Sequence, residues 1–287
     1  MTGRTLSQQA LADLADMPAT GRWVRSGRLR LHVLDYGGDG VPVLVLPGIT
    51  TPAVGMDFVA RRLTDLVHPL VLDPRGRGLS DDGPASTEVY ADDVEAVVAG
   101  LGLDRPVLLG HSMGARIAAV TAARRTLPLR GTLLVDPPMS GPGRGPYPTT
   151  LEAFLDQLTQ ARLGTTADEV ARSWPRWPRR EQELRARWLA SCSADAIAAT
   201  HAGFEEEDFF AVWPAVPAPA TLLYGAESPV VTAAGAAEAT RARPDAAVVA
   251  VPGAGHMVFW DAPKAALEAT REALAPFRTV SGTAPPT

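Results

Sequence analysis

The chain has 287 residues, 46% hydrophobic and 21% charged, the composition of a globular protein with ample core. A net charge of −5, a pI near 5.6 and no basic stripe argue against a nucleic-acid partner, and no window approaches the roughly 20 apolar residues of a membrane span. Cys192 is the single cysteine, which excludes an intrachain disulfide, and residues 1–18 lack the apolar core of a signal peptide, so a cytoplasmic location is expected.

Residues 1–19 read as a short amphipathic lead-in that Pro18 ends. Residues 22–26 and 29–35 look like two strands joined across Ser26-Gly27, a hairpin signal. Residues 41–46 form a continuous apolar run, as a strand covered on both faces does, and Pro47-Gly48-Ile49-Thr50 breaks it. Helical spacing returns over 52–66, followed by an apolar strand at 68–72 that Asp73-Pro74-Arg75-Gly76-Arg77-Gly78 closes. A helix over 87–101 ends at Gly102.

Next comes the strand-like run 107–109, then Gly110-His111-Ser112-Met113-Gly114, then a helix of small residues. Gly-x-Ser-x-Gly between a strand and a helix is the signature of a nucleophile elbow. The glycines let the two backbones pack closely, and the turn holds the Ser112 hydroxyl at the C-terminal edge of a sheet. The helix N-terminus beneath it favours developing negative charge.

A strand at 131–135 runs into Asp136-Pro137-Pro138. This alternation of short strands with helices predicts an α/β domain with a mostly parallel sheet. The alternation stops over 139–214, a Gly/Pro loop followed by helical pieces rich in Trp and Phe, read as a helical cap inserted into a core of 20–138 and 215–277. Its aromatic residues serve either the cap's own core or a pocket. The acidic run Glu205 to Asp208 reads as a solvated helix start rather than a metal site. Strands at 219–224 and 246–251 complete an expected eight-stranded sheet, a helix over 263–274 follows, and 278–287 reads as a flexible tail.

With these motifs in place the chain resembles the α/β-hydrolases over about residues 20–276. Leu46 to Ile49 is similar to the family's oxyanion loop, Asp73 to Ser80 to its Asp-x-Arg-Gly-x-Gly-x-Ser loop, Gly110 to Gly114 to its elbow, and Gly253-Ala254-Gly255-His256 to its histidine loop. The resemblance implies Ser112 as nucleophile, His256 as base, and the backbone amides of Met113 and Ile49 as oxyanion donors. It implies a serine hydrolase that takes a small-molecule substrate and needs no metal or organic cofactor.

A serine hydroxyl needs a base beside it, and the base needs an orienting acid. Much of the family carries that acid in a Gly-x-x-Asp-Pro loop, which here reads Gly225-Ala226-Glu227-Ser228-Pro229. The acid is therefore expected at Asp136, on the end of the preceding strand, with Glu227 as the alternative. His111 is expected to be structural, and His32 and His68 to be satisfied on their strands. Arg75 is expected to hold its loop by an ion pair.

Ser112, Asp136 and His256 in that order, with the stretch Val135 to Arg144, are similar to the N-formylmaleamate deformylases of bacterial nicotinate breakdown. That implies hydrolysis of an N-formyl amide with release of formate. A substrate carboxylate then calls for an arginine, with Arg144, Arg116 and cap arginines such as Arg176 as candidates. Alternatives are a carboxylesterase, a hydrolase of carbon–carbon bonds in ring-fission products, or a ligand-binding hydrolase fold without catalysis. Dehalogenase and epoxide-hydrolase chemistry requires a carboxylate at the elbow, and Ser112 argues against both. The chain is expected to be a monomer or homodimer.

Overall fold

The computed structural model describes Arg4 and residues 6–277, so the expected tail lies outside the described residues. Eight strands form one sheet: β1 (Thr20–Ser26), β2 (Leu29–Asp35), β3 (Pro42–Leu46), β4 (His68–Leu72), β5 (Val107–His111), β6 (Gly131–Val135), β7 (Ala220–Gly225) and β8 (Ala247–Val251). Their order is β1-β2-β4-β3-β5-β6-β7-β8. The β1–β2 and β2–β4 pairs are antiparallel, and every pair from β4–β3 through β7–β8 is parallel.

The central strands read as unbroken apolar runs because both faces are covered. Successive side chains point to opposite faces. Leu44 and Leu46 of β3 join one core with Leu108, Leu134 and Leu222, while Val43 and Val45 join another with Leu109, Leu133, Val135 and Leu223. Helix α1 (Gln8–Ala15) precedes the sheet. The first core is closed by α2 (Thr87–Gly100), through Tyr90, Val94 and Val97, and by α3 (Met113–Arg124), through Ala115, Ile117 and Ala118.

Between β6 and β7 the chain leaves the sheet and forms α4 (Leu151–Gly164), α5 (Ala167–Ser173), α6 (Arg179–Trp188) and α7 (Ala194–Glu206). Thr150, Thr166 and Ser193 cap the N-termini of α4, α5 and α7, with a full capping box at Thr166 and Glu169. Helix α8 (Ala233–Ala242) connects β7 to β8, and α9 (Pro263–Leu274) lays Ala266, Leu267 and Leu274 on the second core.

Residues 52–66 do not make the helix that their spacing predicts. A 3-10 turn over Ala53–Met56 and one α-turn over Asp57–Ala60 give way to turns. The apolar density there reflects burial: Ala53, Val54, Met56, Phe58, Val59, Ala60 and Leu63 are all buried. The Ala53 amide is also tied to Asp73 Oδ1 at 2.6 Å. Glu205 and Glu206 close α7 rather than start a helix, and Asp208 caps the short turn that follows. Among the described residues, no helix is long and apolar enough to cross a membrane.

Candidate active site

The C-terminal ends of β3, β5, β6 and β7 and the loop after β8 converge on one point. At the end of β5 the chain turns through Ser112 at φ 55° and ψ −118°, and α3 begins at the next residue. A non-glycine residue at positive φ is strained by about 1–3 kcal/mol and needs surrounding structure to hold it. Gly110 and Gly114 explain how this turn is possible. A Cβ on Gly110 would lie 2.1 Å from the Gly114 carbonyl oxygen, and one on Gly114 would lie 1.9 Å from that of Leu46. Only glycine lets α3 lie this close to β5 and β3.

Asp136, just past β6, is the second residue of the site at positive φ, at 50°. Its carboxylate is fully buried and accepts three hydrogen bonds: from the Gly225 amide at 2.9 Å, the Ser228 hydroxyl at 2.7 Å and His256 Nδ1 at 2.7 Å. His256 Nε2 lies 3.0 Å from Ser112 Oγ. The structure thus brings Ser112, His256 and Asp136 into one hydrogen-bonded line. Ser228, at the position where relatives carry an acid, donates to Asp136 instead. Glu227 stays outside the line: exposed, it pairs with Arg176 at 2.9 Å.

His111 Nε2 lies 3.0 Å from the His256 carbonyl, to which it donates, so the residue before the serine ties the histidine loop to the elbow. Burial, and next the neighbouring His256, push its pKa down to about 3, leaving it neutral. His32 and His68 meet Asp73 and Asp35 at 2.8 and 2.6 Å. Met113 opens α3, and its amide is among those with no acceptor inside the helix. The loop bearing Ile49 is pinned by Arg77, which donates from Nε to the Ile49 carbonyl at 3.0 Å. Arg77 also reaches Thr200 and the Ala196 carbonyl on α7, stitching the insertion to the core. Arg75 forms a bidentate pair with Asp93 of α2, both bonds at 2.6 Å.

A cavity of about 120 Å³ opens over Ser112 and His256. The core supplies Gly48 to Thr51, and the insertion supplies Tyr147, Phe154, Gln157, Trp174, Trp177 and Arg185. The aromatic residues of the insertion divide between two tasks. Those four line the cavity, whereas Trp188, Phe204, Phe209 and Trp213 are packed away from it.

The arginine expectations need correction. Arg116, on the elbow helix itself, is buried and donates to the carbonyls of Pro138, Ser140 and Gly203 at 2.8, 2.6 and 2.9 Å. Its guanidinium is consumed in fastening the insertion's ends. Arg144 pairs with Glu238 at 2.7 Å and Asp208 at 3.2 Å and lies over the Phe210 ring, lining a separate surface groove. Arg176 is held by Glu227.

The arginine in the cavity is Arg185 of α6. It donates to the Thr50 carbonyl and hydroxyl, each at 2.9 Å, and to Gln157 Oε1 at 3.2 Å. Among the described residues no carboxylate pairs with it. Burial pulls its pKa down to about 10. Tyr147 was equally invisible in sequence, although its hydroxyl is 3.1 Å from His256 Nε2.

A hydroxyl, an imidazole and a buried carboxylate in this order can move a proton from the hydroxyl to the ring and hold the resulting cation. Comparison with known proteins leads to the same chemistry. The profile of the alpha/beta hydrolase family matches residues 43–270. N-formylmaleamate deformylase of Pseudomonas putida is 42% identical over 241 residues, 83% of this chain and 90% of that one. 2-(Acetamidomethylene)succinate hydrolase of Mesorhizobium japonicum is 32% identical over 278 residues, 90% of this chain and 96% of its own. A crystal structure of an N-formylmaleamic acid deformylase from Pseudomonas putida is similar with a TM-score of 0.82 at 36% identity, covering 88% of this chain and all of that one. A match of this extent, on a sheet and elbow of this kind, makes the chain a hydrolase that belongs to the alpha/beta hydrolase family.

Proposed function

We propose that the chain hydrolyses the N-formyl bond of a small anionic amide, with N-formylmaleamate as the substrate and formate and maleamate as products. Neutral His256, its Nδ1–H on Asp136, takes the Ser112 proton as Oγ attacks the formyl carbon. The amides of Met113 and Ile49 receive the oxyanion; such donors contribute on the order of 3–4 kcal/mol each at comparable sites. The C–N pair leaves with nitrogen, which takes the proton from His256 Nε2, and the formyl ester of Ser112 remains. Water then attacks that ester by the same proton route and releases formate.

The observation that carries this reading is Arg185, a guanidinium without a carboxylate partner among the described residues, facing the same cavity as Ser112. A charge in this position wants an anion, and a substrate carboxylate supplies one with bidentate geometry. The cavity's size supports a small molecule, since about 120 Å³ is near the ~150 Å³ that accommodates one benzene ring. The similarity to N-formylmaleamate deformylase points to the particular amide.

Formate release from N-formylmaleamate, set beside hydrolysis of neutral p-nitrophenyl esters, tests the proposal. A kcat/KM favouring the formyl amide supports it, and turnover of esters alone rejects it.

A further inference from the structure

Among the described residues, Tyr147 is the side chain other than Ser112 whose oxygen reaches His256 Nε2, at 3.1 Å. Ser112 lines the same cavity, and its Oγ lies 3.0 Å from that same nitrogen. Tyr147 sits in the loop ahead of α4 and is held there by packing rather than by its hydroxyl. Its amide donates to Glu205 Oε1 at 2.8 Å, and its ring lies 4.8 Å from Phe204 and 6.2 Å from Phe154. The side chain is buried, and burial pushes its pKa up, so the phenol stays neutral.

The position has a chemical meaning. The atom that departs from the acyl carbon must lie beside both Ser112 Oγ and His256 Nε2, since one bonds to that carbon and the other protonates the leaving atom. The Tyr147 hydroxyl and Ser112 Oγ lie 3.1 and 3.0 Å from Nε2, so the Tyr147 hydroxyl borders the leaving-group site. For an ester the leaving atom there is a bare oxygen. For an amide it is nitrogen bearing a hydrogen. As the tetrahedral intermediate forms, the nitrogen pair that was delocalised into the carbonyl becomes a localised lone pair that must face Nε2–H, and this turns its own N–H away from the imidazole. In an enclosed cavity that N–H is left without a partner unless an acceptor stands beside it. A phenol oxygen retains acceptor capacity while its O–H donates elsewhere.

We propose that Tyr147 is a catalytic residue of amide hydrolysis, its oxygen accepting the N–H of the scissile amide while His256 Nε2 protonates that nitrogen. This rests on the amide-hydrolase reading above. In the step itself the C–N pair passes to nitrogen, the proton comes from Nε2, and the oxyanion pair restores the carbonyl. Tyr147 neither gains nor loses a proton. Its contribution is confined to substrates with an N–H, so it sets amide against ester reactivity.

The test is Tyr147→Phe, which keeps the packed ring, assayed on p-nitroformanilide and p-nitrophenyl formate. These share acyl group and ring and differ in N–H against oxygen. The expected result is a fall of about 100-fold in kcat on the anilide, the scale seen when one transition-state hydrogen bond is removed, with at most a several-fold fall on the ester and an unchanged Tm. Equal losses on both substrates, or no loss on the anilide, overturn the proposal. Wild-type turnover of the ester with none of the anilide or of N-formylmaleamate overturns it together with the amide reading. A selective anilide loss in an enzyme inactive on N-formylmaleamate supports Tyr147 and removes only that substrate.

Discussion

Replacing Arg185 with methionine separates binding from folding more sharply than any other single change here. The guanidinium's fall from 12.5 to about 10 corresponds to about 3 kcal/mol of lost hydration in the folded state. Against it stand three hydrogen bonds, two to Thr50 and one to Gln157, which contribute about 1 kcal/mol each. The terms nearly cancel, and the methionine stem keeps most of the packing, so Tm should move by only a few degrees. The catalytic effect does not cancel. Losing a charge-assisted contact to a substrate carboxylate costs about 1.5–3 kcal/mol, roughly a 10- to 150-fold drop in kcat/KM. The assay is formate release from N-formylmaleamate and from neutral p-nitroformanilide, with Tm measured on the same preparations. The anionic substrate should suffer the full loss, mostly in KM, and the neutral one about threefold or less. Equal losses on both would mean that Arg185 acts only by holding the Thr50 loop, and the argument for an anionic substrate would fail.

Two further outcomes follow from the geometry. Asp136→Asn should lower kcat by roughly 10⁴, the scale of losing a triad carboxylate, while Glu227→Gln, at an exposed residue paired with Arg176, should change it by less than about twofold; the reverse order in steady-state assays would move the acid to Glu227. Glu181 has a buried Oε2 with no hydrogen-bond partner among the described residues, and burial holds its pKa above the usual carboxylate value despite Arg180. A carboxyl raised in the folded state contributes stability that is present below the unfolded pKa and lost as pH rises through the folded one. Glu181→Gln should therefore melt higher than wild type at pH 8 and lose that lead below pH 4.5; a pH-independent difference, or a lower Tm at pH 8, would refute this.

Local patterns revealed those parts of the molecule that depend on neighbours in sequence. The central parallel strands are short apolar runs because each is covered on both faces, and the elbow is visible because only glycine fits at 110 and 114. Asp136 was legible as a carboxylate at a strand end, once the loop after β7 was seen to hold Ser228 in the acid's place. What stayed hidden depends on tertiary placement. Arg116, Arg144 and Arg185 are alike as letters, yet one fastens backbone carbonyls, one pairs with surface acids and one faces the cavity. Their roles follow from how α4, α6 and the loop before α4 lie over the sheet, which no spacing rule records. Tyr147 carried no motif, and its hydroxyl gains meaning only from its distance to His256. The segment 52–66 misled for a related reason: burial of its apolar residues produces helical-looking spacing without a helix.

The most direct test of the account is the time course of formate and maleamate from N-formylmaleamate with the wild-type chain and with Ser112→Ala. The wild type should release the two products in equimolar amounts, and the variant none above the uncatalysed rate. No formate from the wild type, or equal rates from both, would contradict it.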